Sequence, residues 1–305
     1  MNKKTLAYTQ NPALSFAAIK ARFIDYGILV KFKLNLTVVF SALFGYLMAK
    51  GFNVGWIELA AISLGGFLVT SSANTINQIL EKEYDKLMNR TASRPLAKDR
   101  IGVGEAVLIS GICGVSGILL LWYNFNQMAA LLGAIALISY AFIYTPLKRY
   151  SPIAVLVGAI PGALPPAIGY VAASNQFGIE AYSFFAIQFL WQFPHFWAIG
   201  WLAYDDYKNA GFKLMPIHYD ARNRATAIQM IIFTMALIIV SLWPWFLGMT
   251  GGIAMGVNLI MGFIFLAMNF RLLMYCDQRS ALLVMLTSVI YLPVVQIAMV
   301  LDKVG

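Results

Sequence analysis

The chain has little charge, little sulfur and almost no imidazole: 11% of its 305 residues are charged, and it holds two cysteines and two histidines. Each scarcity excludes something. So low a charged fraction, beside 60% hydrophobic residues, lies outside the range of ordinary globular domains. Cys113 and Cys276 stand far apart and without metal-ligand spacing, which speaks against a disulfide, a zinc site or an iron–sulfur cluster. No Ser/Gly linker or low-complexity stretch divides the chain, so it reads as one intramembrane domain over 31–305 behind a cytoplasmic or interfacial segment, 1–30. Charges interrupt that first segment throughout, which argues against a signal peptide; "ALSFAAIKARFIDYGILV" reads either as an interfacial helix or as a plain amphipathic lead-in.

What remains is long apolar runs. Crossing a hydrocarbon core of about 30 Å takes roughly 20 apolar helical residues. Suitable runs occur near 32–50, 54–80, 103–123, 127–146, 152–173, 180–203, 225–247, 251–273 and 281–301, which predicts an all-α polytopic protein of nine spans. The runs are continuous rather than alternating, which favours helices over barrel strands. With the N-terminus inside, every Lys and Arg except Lys50 and Lys303 falls on the inner side, placing the C-terminus outside. The formal net charge of +9 is then an orientation signal and a contact for anionic lipid, with no call on nucleic acid.

The few acids are concentrated. Asn77, Glu81 and Asp85 recur every four residues where the second run leaves the membrane, so on a helix they share one face. Two carboxylates one turn apart suit a hard divalent ion, and Mg2+ takes one or two carboxylates together with substrate phosphates and water. Arg90, Arg94 and Lys86 follow, able to neutralise phosphate charge. A solvated helix end laced with ion pairs is the competing explanation. The inner loop after the sixth run weighs against it by repeating the composition with Asp205, Asp206, Lys208 and Lys213, and "YTPLKR" adds Lys148 and Arg149 on the same face.

In mid-chain, "VLVGAIPGALPPAIGYV" carries Pro161, Pro165 and Pro166 among glycines, either a kinked packing helix or one shaped around a bulky ligand. His195 falls inside the sixth run, where an ionisable group usually meets a cavity or a partner. It reads as a ligand contact in a cavity or as a plain hydrogen bond to a neighbouring helix. His218, in the inner loop, earns no role. Phe184, Phe185, Phe189, Trp191, Phe193, Phe196 and Trp197 offer aromatic walls for a cationic fragment, although most such side chains simply pack.

Taken in order, "NQILEKEYDKLMNRTASRPLA", "YTPLKRYSP", "LVGAIPGALPPAIGY" and "FLWQFPHFWAIGWLAYDDYKNAGFKLMP" resemble the UbiA-like intramembrane prenyltransferases, specifically the protoheme IX farnesyltransferase branch, over roughly residues 30–300. The resemblance implies a nine-helix bundle around a lateral intramembrane cavity in a bacterial-type cytoplasmic membrane. It implies that Mg2+ bridges two acidic motifs and farnesyl diphosphate, and that heme b is the acceptor and heme O the product, passed on to a downstream heme-modifying enzyme. By this resemblance the catalytic set is Asn77, Glu81, Asp85, Asp205 and Asp206, with Glu81, Asp85 and Asp206 on the metal. Arg90, Arg94, Tyr144, Lys148, Arg149 and Lys208 contact the diphosphate, Tyr144 and Lys148 matching a Tyr-x-x-x-Lys element, and His195 and Trp191 contact heme. Three positions depart from the aromatic-substrate branches: Gln78 and Glu81 where Asp is usual, and Leu202 in place of an upstream Asp. Glu83 likewise replaces a more usual Asp. Prenylation of a quinone precursor by the same apparatus, or transport, are the competing functions.

Overall fold

The computed structural model describes residues 16–216 and 222–304; residues 1–15 of the N-terminal segment and His218 lie outside them. Among the described residues the protein is all-helical apart from one isolated bridge between Thr250 and Lys303. A surface helix α1 (Phe16–Leu29) leads into α2 (Phe32–Lys50), α3 (Trp56–Leu80) and a short α4 (Lys82–Asp85). Then come α5 (Val103–Asn124), α6 (Gln127–Ile138), a π-helical turn (Ser139–Tyr144) and α7 (Thr145–Leu147). The second half holds α8 (Ala154–Ser174), α9 (Ile179–Leu202), α10 (Tyr204–Asn209), α11 (Arg224–Val240), α12 (Trp243–Phe246), α13 (Gly252–Tyr275) and α14 (Gln278–Leu301).

Eight helical stretches among the described residues are long and apolar enough to cross a membrane. The expected sixth span, α9, is 24 residues long but is not one of the eight. Its Gln188, Gln192, Pro194 and His195, together with its Trp and Tyr residues, depress its mean hydropathy. α9 tolerates them because α8, α11 and α14 pack around it, so its polar groups meet protein partners in place of lipid. The fourth span is likewise composite, running from α6 through the π turn into α7 as Gln127–Leu147.

Close approach organises the centre. A Cβ on Gly45 would lie 1.8 Å from the Pro166 carbonyl oxygen, and one on Gly169 would lie 1.9 Å from that of Ala42, so α2 and α8 touch backbone to backbone. Pro166 lacks the N–H that would bond the Gly162 carbonyl four residues earlier. Gln188 Nε2 of α9 donates to that carbonyl at 2.8 Å. Gln188 also accepts from Gln296 of α14, which in turn pairs with Ser41 of α2. The three prolines are buried, and the fifth run is a packing helix whose lost backbone bond is restored from its neighbour.

The helix ends separate by charge. α2 ends at Lys50, and Lys303 bridges Thr250 beyond the end of α14, so the two exceptional lysines lie at the end of the bundle opposite the acidic hairpins.

Candidate active site

The first hairpin grows out of α3, whose last buried turns carry Asn74, Thr75, Asn77 and Gln78. Glu81 breaks the helix and α4 restarts it, yet Asp85 N still donates to the Glu81 carbonyl at 2.8 Å, so Asn77, Glu81 and Asp85 remain one turn apart. All three are buried, at 1%, 5% and 1% exposure, which sets them apart from a solvated helix end.

Buried carboxylates require partners, and each has one. Glu81 pairs with Lys148, itself buried at the end of α7. Asp85 receives Arg94 Nη1 on both oxygens, at 2.9 and 2.8 Å. Desolvation raises the Asp85 carboxyl above the usual range, with Arg94 pulling the other way. Asn77 accepts from Lys31 Nζ at 2.9 Å and donates to Thr145 Oγ1 at 3.1 Å, tying α3 to the α1–α2 junction and to α7.

The π turn matters here because it resets the phase of the helix before α7. Tyr144 packs into the space left by Gly158, where a Cβ would come within 2.6 Å of its ring. Lys148 Nζ lies 4.9 Å from the centre of the Tyr144 ring and 5.4 Å from that of Phe212. The Lys213 N–H donates to the Lys148 carbonyl at 2.7 Å, binding the second hairpin to this turn.

The two hairpins meet. The backbone N–H groups of Asn89 and Arg90 donate to Asp206 at 3.3 and 3.4 Å, and Arg90 Nη2 donates to the Tyr207 hydroxyl at 2.8 Å. Asp205 points away: it is 75% exposed and pairs with Arg222 at 3.0 Å. Lys208 is exposed, Arg149 lies over the Tyr84 ring at 4.4 Å, and Glu83 pairs with Lys86 at the surface. Among the described residues no three acidic, His or Cys side chains form a ready-made metal cluster.

Sequence reasoning missed Lys31 and Gln78. Lys31 sits between α1 and α2 with φ of 54°, the left-handed region. Gln78 Nε2 fixes that junction by donating to the Ile28 and Leu29 carbonyls at 3.1 and 2.7 Å, capping the end of α1. Burial, with Arg94 and Lys148 repelling it, pulls the Lys31 ammonium down to about 7. Lys31, Arg94 and Lys148 therefore crowd positive charge around two carboxylates. The left-handed junction that aims Lys31 inward leaves no periodic signal in the sequence.

Deeper in the bundle, His195 stacks on Trp191 with ring centres 4.6 Å apart, and its Nδ1 lies 2.7 Å from Ser288 Oγ of α14. Trp191 Nε1 donates to the Ser288 carbonyl at 2.8 Å. The other aromatics divide. Phe184, Phe193 and Trp197 are core, Phe184 against Phe44 and the other two against Phe233. Phe185, Phe189 and Phe196 are half-buried.

Apolar helices of membrane-spanning length, with two buried carboxylates paired to cations at one end of the bundle, define an integral membrane protein. The chain belongs to the UbiA prenyltransferase family, whose model matches residues 38–290. It is 45% identical over 284 residues to a protoheme IX farnesyltransferase of Cytophaga hutchinsonii, covering 93% of this chain and 99% of that one. Its fold resembles a solved structure concerned with digeranylgeranylglyceryl phosphate synthase, with a TM-score of 0.77 at 20% identity over 92% and 98% of the two chains. It also resembles a UbiA homolog from Archaeoglobus fulgidus bound to GPP and Mg2+, with a TM-score of 0.64 at 14% identity over 90% and 99%.

Proposed function

We propose that this protein transfers the farnesyl group of farnesyl diphosphate to a vinyl group of heme b, with addition of water, giving heme O and diphosphate. The observation that carries this reading is 45% identity over nearly the whole length to a protein named for that reaction. The buried site of Glu81, Asp85 and their cations agrees with it.

The site residues fit Mg2+. Two buried carboxylates one turn apart, with the Asn77 amide on the same face, are the one or two carboxylates this ion takes together with substrate phosphates and water. Glu81 and Asp85 would hold it, with Asp206 closing from the second hairpin. When bound, the ion supplies positive charge against the departing diphosphate.

The protein's own residues do the rest. Lys31, Arg94 and Lys148, now neutralising acids, are assigned to the phosphates together with Arg90, Tyr144, Arg149 and Lys208. As the C1–oxygen bond of the farnesyl group breaks, diphosphate leaves with the electron pair and this fixed charge stabilises it. The vinyl carbon of heme b attacks C1. Water then adds to the porphyrin-side cation and loses a proton, giving the hydroxyl of heme O. Apolar and aromatic walls keep water from the allylic cation until attack. His195 and Trp191 are assigned to the porphyrin. The membrane is the bacterial cytoplasmic membrane with the hairpins inside, and heme O leaves for a downstream heme-modifying enzyme.

Incubating the purified protein with farnesyl diphosphate, Mg2+ and either heme b or a hydroxybenzoate, then resolving products by mass, tests the reading. Farnesylated, hydrated heme is the expected product; prenylated benzoate without heme O would overturn it.

A further inference from the structure

The contact between His195 and Ser288 carries more information than a helix-to-helix hydrogen bond. Ser288 Oγ lies 2.6 Å from the Met285 carbonyl oxygen, which can only accept, so the hydroxyl proton is committed there. Toward His195, 2.7 Å away on Nδ1, the same oxygen has only lone pairs to offer. Nδ1 therefore carries the ring proton, and in the neutral imidazole the lone pair is on Nε2. Nε2 has no hydrogen-bond partner among the described residues, and it is not one of the buried unpartnered atoms, so it keeps accessible surface.

The orientation of the ring is fixed twice more. Trp191 lies parallel to it within 17°, and the Trp191 indole N–H is anchored to the Ser288 carbonyl. Residues 191 and 195 share the face of α9 turned to α14, about one and two turns from the Gln188–Gln296 link, which puts His195 about 10 Å along the helix from Gln188. Imidazoles that ligate a metal characteristically donate the other ring N–H to a second group that sets tautomer and direction. Nδ1 makes that second contact here, and Nε2 is left without a hydrogen-bond partner among the described residues.

Resting on the heme-farnesylation reading, we propose that Ser288 is a positioning residue that holds His195 as the Nδ1–H tautomer, so that Nε2 is presented as an axial ligand to the iron of the porphyrin acceptor. Iron ligation anchors the porphyrin at one point, and the stack on Trp191 fixes the direction of approach. A plain packing bond between α9 and α14 would leave the iron without a protein nitrogen.

The experiment binds ferric heme b to the purified full chain without farnesyl diphosphate and reads absorption and electron paramagnetic resonance, with heme O formation measured in parallel. Wild type is expected to show nitrogen-ligated iron. H195A loses that signature while keeping wild-type elution in detergent and farnesyl diphosphate binding. S288A, in which the tautomer is no longer imposed, binds heme about 10–100-fold more weakly. S288T keeps the hydroxyl and restores the wild-type spectrum and affinity. An unchanged iron signature in H195A, wild-type affinity in S288A, or failure of S288T to restore it overturns the inference. If wild type forms heme O and H195A keeps the signature, only the ligand assignment falls; if wild type forms no farnesylated heme, the underlying reading falls.

Discussion

The two acidic hairpins have similar compositions and opposite environments. In the first, Glu81 and Asp85 are buried and each is held by a fixed cation. In the second, Asp205 is exposed on Arg222, and Asp206 accepts two long backbone N–H contacts. Buried charge is costly unless its partners are preorganised, so the carboxylates of the first hairpin come with their cations in place, while the second hairpin is fixed by Tyr207, Phe212 and the Lys213 backbone and its acids stay near the surface. On the proposed function, the first hairpin binds metal and diphosphate and the second completes the binding.

The comparison breaks most sharply at the first pair. Asp85→Asn or Glu81→Gln should lower the rate of heme O formation by about 10²–10³-fold, the usual cost of losing one preorganised electrostatic group. Wild-type elution in detergent must accompany the loss; full turnover in both variants would remove the metal assignment. Lys148→Ala should act on folding, because it leaves Glu81 buried without its cation. The expected destabilisation is about 3–5 kcal/mol, read as a lowered thermal midpoint. Asp205→Asn, which breaks an exposed pair, should cost less than about 1 kcal/mol in the same assay.

Asp206→Asn sharpens the contrast at smaller amplitude: the KM for farnesyl diphosphate should rise about tenfold, roughly 1.4 kcal/mol, with little change in kcat. Lys31 gives the smallest effect and the one with a pH signature. Its ammonium is charged below about 7 in the free protein, and a bound diphosphate favours the charged form, raising that value. Affinity for farnesyl diphosphate should therefore fall as pH rises above about 7, and Lys31→Gln should flatten that part of the profile. An unchanged profile in the variant would remove Lys31 from the site.

Much of the fold was legible because a bilayer imposes length and apolarity on every span, and the runs near 103–123 and 281–301 became α5 and α14 within a few residues. α9 was legible as a helix, while its polar face was not accounted for until α8 and α14 supplied partners for Gln188 and His195. In the site, Asn77, Glu81 and Asp85 were readable because helical period alone puts them on one face. Lys31 was read only as an orientation charge, and Gln78 only as a departure from a motif. Their roles arise from a left-handed junction and a capped helix end that bring distant segments together. In the aromatic run 184–197 the expectation that most side chains simply pack holds for Phe184, Phe193 and Trp197, which fill the core, but which ones do so was not readable. Composition cannot separate a wall from a packing residue.

The most direct test is calorimetric titration of farnesyl diphosphate into wild type, Asp85→Asn and Asp206→Asn, each with and without Mg2+. The account predicts that the Mg2+-dependent part of the affinity disappears in Asp85→Asn and survives, about tenfold weakened, in Asp206→Asn. Undiminished Mg2+-dependent binding in Asp85→Asn, or its loss only in Asp206→Asn, would contradict it.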